Sequence, residues 1–131
     1  MAIISEDLDQ LSCEGIGYCL DRIADGGDLW PTLFSGSAQE MRVQSFEGDS
    51  PDVGLEEAWA EARKLEGDLF AIGYDGFVQT EEDEEAQQAV ILIFGERGAE
   101  SAYTACVPYW TEGDELYSGE PIPGGLEPLP F

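Results

Sequence analysis

The apolar residues of this 131-residue chain change their dominant spacing at Leu69. Ahead of that point they recur at three and four residues, the period of a helix buried on one side. Beyond it they alternate, the period of a strand. Helical patterning in the first half and strand patterning in the second restrict the chain to an α+β layout, with helices packed on an antiparallel sheet.

The first helix is predicted over residues 5–24. Leu8, Leu11, Gly15, Cys19 and Ile23 form its stripe, with Ile16 and Leu20 beside them. Ser5 suits the N-cap, Glu6 and Asp7 follow where the helix dipole favours acid, and Gly26 and Gly27 are natural stops. Gly15 and Gly17 weaken this helix by about 1 kcal/mol each relative to alanine. Gly15 lies on the stripe, where it permits close approach of another element. The second helix lies in GLEEAWAEARKLEG, with Leu55, Ala58, Trp59, Ala62 and Leu65 on one side, Gly54 as N-cap and Gly67 as stop. Glu57 is placed to reach back to the cap, and Arg63 and Lys64 sit where the dipole favours cations.

DLWPTLFSGS reads as an irregular link, because Pro31 and Gly36 interrupt it. MRVQSF alternates as a short strand and GDSPDVG reads as a turn. LFAIGYDGFVQT is a strand with a bulge or kink at Asp75-Gly76. AVILIF is apolar on both sides and so belongs in the middle of a sheet. GERG turns the chain, and SAYTACVPYW is a last strand whose Pro108 marks an edge or a terminus. The expected fold is one α+β domain spanning residues 1–131. Its order is α-β-α-β-β-β, with a four-stranded, mostly antiparallel sheet and both helices on one side. The segment 111–131 is a Pro/Gly-rich extended tail, and Ile122, Leu126, Leu129 and Phe131 favour its lying along the domain.

Twenty-nine Asp and Glu stand against five Lys and Arg, a net charge of −24. Such a surface repels phosphate and anionic lipid and attracts basic partners with strong salt dependence. Two readings stay open: acid that serves solubility alone, and an acidic face that caps a basic protein or mimics nucleic acid. Direct nucleic-acid or membrane binding is not expected.

Cys13, Cys19 and Cys106 make an odd count, which argues against a disulfide framework. The start MAIISEDLDQ has no signal-peptide pattern. A cytoplasmic location is the expectation. Residues Cys13 and Cys19 would stand about 120° and about 9 Å apart on a helix, which suits neither zinc nor a disulfide, so all three thiols read as small packing groups.

The chain has no histidine. Ser-His and Cys-His nucleophile pairs and histidine metal sites are therefore excluded. The lone GxG of EGIGYC does not follow a strand and makes a poor phosphate cradle. Glu81, Glu82, Asp83, Glu84 and Glu85 fail the calcium-loop template for want of alternating ligands and a central glycine. They read as a solvated hairpin loop that guards AVILIF against aggregation, and as a contact for a basic partner. Arg97 is the only cation after Lys64; it neutralises nearby acid or marks an anion site. No catalytic residue, cofactor site or metal site is expected.

LEEAWAEARKL, FAIGYDGFV, AVILIFGERG and the strand after them, within residues 41 to about 109, resemble small uncharacterised bacterial α+β proteins. The resemblance implies a β-α-β-β-β order and a bacterial origin, and carries over no functional residues.

These readings point to a non-enzymatic acidic protein-binding module, such as an immunity or inhibitor protein for a basic toxin or nuclease. Its expected contact residues are Glu81, Glu82, Asp83, Glu84, Glu85, Asp49 and Asp52. The alternative is a structural or homo-oligomeric component that touches its partner through Trp110, Tyr117 or the tail, its acidity serving solubility. A hydrolase would require two close carboxylates in a cleft, one of them with a raised pKa.

Overall fold

A computed structural model describes residues 5–37, 39–78 and 86–130. Chain order is α1 (Glu6–Ala24), β1 (Thr32–Gly36), β2 (Met41–Ser45), α2 (Pro51–Ala62), β3 (Leu69–Val78), β4 (Gln87–Glu96), β5 (Tyr103–Glu112), β6 (Glu115–Ser118) and β7 (Ile122–Pro123). The α+β class, the two helices and the antiparallel sheet match expectation. The strand count does not: seven strands share the sheet, ordered β2-β1-β3-β4-β5-β6, with β7 also on β5. Every pairing between named strands is antiparallel.

The expected irregular link contains β1. Pro31 precedes the strand, where its carbonyl still accepts from Phe46 N at 2.9 Å. Gly36 ends it at φ 87°. Thr32 to Ser35 are buried without interruption, because β1 is covered on both sides and paired along both edges. Alternation vanishes under those conditions.

The helices lie on opposite sides of the sheet, contrary to the expected single layer. Leu8, Leu11 and Cys19 of α1 cluster with Phe34, Ala71, Leu92 and Val107. Ala58 and Ala62 of α2 cluster with Leu33, Phe70, Ile72 and Ile93. Successive strand residues thus serve different helices, as strand geometry requires. Each fully buried leucine, isoleucine or phenylalanine contributes roughly 1.5–3 kcal/mol.

Ser5 caps α1 as expected, its Oγ accepting from Leu8 N at 3.2 Å. Gly15 sits over Phe34 and Leu92, where a Cβ would make contact at 3.4 Å. The tighter approach is from the sheet: a Cβ on Gly73 would lie 2.7 Å from Cys19 Sγ. The segment GDSPDVG is no turn, because α2 begins inside it. Ser50 is the N-cap, accepting from Val53 N at 3.4 Å, and Pro51 opens the helix where its missing N–H costs nothing. Gly54 lies in the first turn rather than at the cap, and a Cβ there would strike the Phe46 carbonyl.

Strand β3 pairs through Asp75↔Val90 and Gly76↔Ala89 without a break, so the expected bulge is absent. β4 is interior, as its sequence requires. Pro108 stands mid-strand, where the β4 pairing ends and the β6 pairing begins. Its carbonyl accepts from Gly119 N at 2.9 Å. Its absent N–H points to that same side, so no bond to β4 is lost. The tail is docked: β7 pairs with Ala105 and Cys106, and Ala102 and Glu127 exchange backbone bonds of 2.8 and 3.1 Å.

Candidate functional site

Burial of one side of α1 leaves its other side to solvent, and that side is acidic. Glu6, Asp7, Asp9, Glu14, Asp21, Asp25 and Asp28 are all exposed on the helix and the loop after it. Arg22 is the one cation among them, and its Nε donates to the Asp28 carbonyl at 3.3 Å. The other cations gather across the sheet. Arg63 and Lys64 follow α2, Arg42 lies on β2, and Arg97 follows β4.

Beside α2's last turn, β1 and β2 form a cleft of about 400 Å³ lined by Ser35, Arg42, Gln44, Glu61, Lys64 and Glu66 among others. Two cations and two acids offset there, and Lys64 Nζ is paired with Glu61 Oε1 at 3.2 Å. Arg97 has a structural task next to it. Its Nη2 donates to the Leu65 and Gly67 carbonyls at 2.8 and 3.2 Å. Its Nε lies 3.7 Å from Asp68 Oδ1. It ties the loop after α2 to the β4–β5 turn by satisfying two carbonyls of that loop.

Of the contact residues expected from sequence, Asp49 and Asp52 are exposed at the start of α2, with Asp52 in the first turn. Glu81, Glu82, Asp83, Glu84 and Glu85 lie outside the described residues, beyond the paired strand ends Val78 and Gln87.

A further surface is the β5–β6 hairpin. Its register pairs Trp110 with Tyr117, Thr111 with Leu116 and Glu112 with Glu115. Residues two apart share a side of a strand, so Trp110, Tyr117, Glu112 and Glu115 lie together. The two rings stack at 6.4 Å and 19°, and each residue is 40% exposed. Tyr117 donates its hydroxyl to Glu115 Oε2 at 2.7 Å, which raises the phenol's pKa. Sequence reasoning named both rings but missed the carboxylates. The overlooked signal was Gly113-Asp114 between two strand-like runs, a two-residue turn with Gly113 at φ 66°.

The thiols diverge from the expectation of three packing groups: Cys19 is buried, Cys106 is half-buried and Cys13 is exposed. Burial pushes the Cys19 thiol up to about 12 and raises Cys106. Burial also raises the Tyr109 hydroxyl, reinforced by its 2.7 Å bond to Asp75 Oδ1. Among the described residues no Asp or Glu is buried, and no three potential ligands come together as a metal site. Nor is any described helix long and apolar enough to cross a membrane. No protein-family model, curated protein or solved structure matches this chain.

Proposed function

We propose that the protein is a non-enzymatic module that binds a basic protein through its acidic surface, as an immunity or inhibitor protein for a basic toxin or nuclease would. The observation that carries this reading is the separation of charge. A chain of net charge −24 collects Arg42, Arg63, Lys64 and Arg97 around the end of α2 and leaves the solvent side of α1 almost uniformly anionic. Such an anionic surface attracts a cationic partner from a distance. Asp49 and Asp52, exposed at the start of α2, and the acids Glu81, Glu82, Asp83, Glu84 and Glu85 are proposed as further contacts for the basic partner.

The test is retention of proteins from cell extract at low ionic strength and at roughly 1 M salt, where the screening length falls to about 3 Å. A basic protein held at low salt and released at high salt is the expected result. Absence of any such protein, or binding indifferent to salt, ends the proposal. A stable homo-oligomer that persists in molar salt would instead favour the structural reading, for which the exposed Trp110 and Tyr117 speak.

A further inference from the structure

The β5–β6 hairpin places Glu112 directly opposite Glu115 at its tip. Like charges facing across an antiparallel pair destabilise it. Neither glutamate forms an ion pair within 4 Å among the described residues. On the same side of the ribbon, one step back from the turn, the Trp110 and Tyr117 rings are stacked and open to solvent. The phenol hydroxyl holds the Glu115 carboxylate beside the rings. Pro108 and Gly119 back the indole: a Cβ built on Gly119 would lie 3.1 Å from Pro108 Cγ and 3.7 Å from Trp110 Cζ3.

An arginine side chain answers each of these features. Its planar guanidinium stacks on an indole face, its fork of N–H groups matches carboxylate oxygens, and its charge relieves the opposed pair. Lysine supplies the charge but not the plane or the fork. Rigid aromatic anchors ringed by polar groups are also the usual centre of a protein interface.

We propose that the side of the β5–β6 hairpin bearing Trp110, Tyr117, Glu112 and Glu115 seats an arginine side chain of a basic partner. This rests on the basic-partner reading above and adds where the partner is anchored and by which residue type. The rest of the acidic surface supplies attraction at a distance, and the hairpin supplies the short-range grip.

The test is fluorescence anisotropy of a labelled oligo-arginine peptide titrated with the full chain, with an oligo-lysine peptide alongside. Arginine should bind more tightly than lysine. Trp110→Ala should weaken the arginine peptide about fivefold to tenfold. Glu112→Gln with Glu115→Gln should weaken it about tenfold. Glu56→Gln with Glu100→Gln, the same charge change at exposed acids away from both the hairpin and α1, should stay within about twofold. Trp110→Phe, which keeps a ring, should recover part of the loss. Circular dichroism melting should show all variants folded.

Equal weakening by the Glu56/Glu100 and hairpin pairs, or a Trp110→Ala that binds like the wild type, overturns the hairpin site and leaves the acidic-surface reading standing. Loss of self-association in Trp110→Ala, with peptide binding unchanged, overturns it in favour of a second copy of this chain. If the extract experiment retains no basic protein, the broader reading falls whatever the hairpin does with the peptide.

Discussion

The two sides of the sheet are built differently, and the difference accounts for where the charge lies. On one side α1, 19 residues long, is laid flat over Phe34, Ala71, Gly73 and Leu92 with Cys19 against the backbone of β3. That contact is apolar and close, so the helix holds without help from its outer surface and tolerates an almost unbroken row of acids. On the other side α2, 12 residues long, shares the sheet with Leu129 of the tail and tilts its own half-buried Trp59 against Phe70. There the contact with the sheet is thinner, and Arg97 ties the loop after the helix to the β4–β5 turn. Dense apolar packing frees a surface to specialise in charge, whereas thinner packing needs its cations for structure.

The sharpest way to break this comparison is to truncate one aromatic on each side. Phe34→Ala, under α1, should cost about 4 kcal/mol, and the half-exposed Trp59→Ala about 2, by urea denaturation. Equal losses would mean that the two sides are packed alike. Next in size is Gly73→Ala, expected to cost about 2 kcal/mol because its Cβ meets Cys19 Sγ at 2.7 Å. Combined with Cys19→Ala it should recover part of that loss, and a double-mutant cycle without coupling would remove the close-approach account. Arg97→Ala should cost about 1 kcal/mol through the carbonyls it leaves unsatisfied, against less for the exposed Arg22→Ala. Thr104→Val should gain up to about 1 kcal/mol, since the Thr104 hydroxyl is buried without a partner among the described residues.

Alkaline pH probes the α1 side through Cys19. The Cys19 thiol has its pKa raised from 9.0 to about 12 in the folded state. Its neutral form is the one folding favours, so this contribution is complete below pH 9 and is lost as pH rises toward 12. Cys19→Ala should flatten the stability profile in that window, leaving the slope due to Cys106, Tyr109 and Tyr74. Alkylation of the native protein should mark Cys13 well ahead of Cys19.

Much of this was legible in the chain. The cap at Ser5, the stripe of α1 and the interior position of AVILIF followed from spacing alone. That last segment held more than was taken from it: a strand apolar on both sides needs cover on both sides, which already rules out two helices in one layer. β1 stayed hidden because burial from both sides erases alternation in TLFSG and because Pro31 and Gly36 resemble breakers when they are in fact its boundaries. The start of α2 was written as Ser50-Pro51, an N-cap followed by a first-turn proline, and the glycines and aspartates around it masked the signal. The edge pairing of the tail could not be read, since backbone bonds carry no side-chain pattern. The hairpin site was half legible for the same reason. Trp110 and Tyr117 stand out as residues, but the opposition of Glu112 to Glu115 exists only once the register is known.

β2 pairs with β1 alone, so among the described residues its outer side offers backbone donors and acceptors to any strand that comes near. Two copies approaching edge to edge must first overcome the mutual repulsion of two strongly anionic bodies. Salt relaxes the internal strain of so much like charge and in the same stroke lowers that barrier. The conditions that steady the single molecule are therefore those that weaken its defence against stacking into fibres, and its colloidal behaviour should worsen with ionic strength even as its melting temperature climbs.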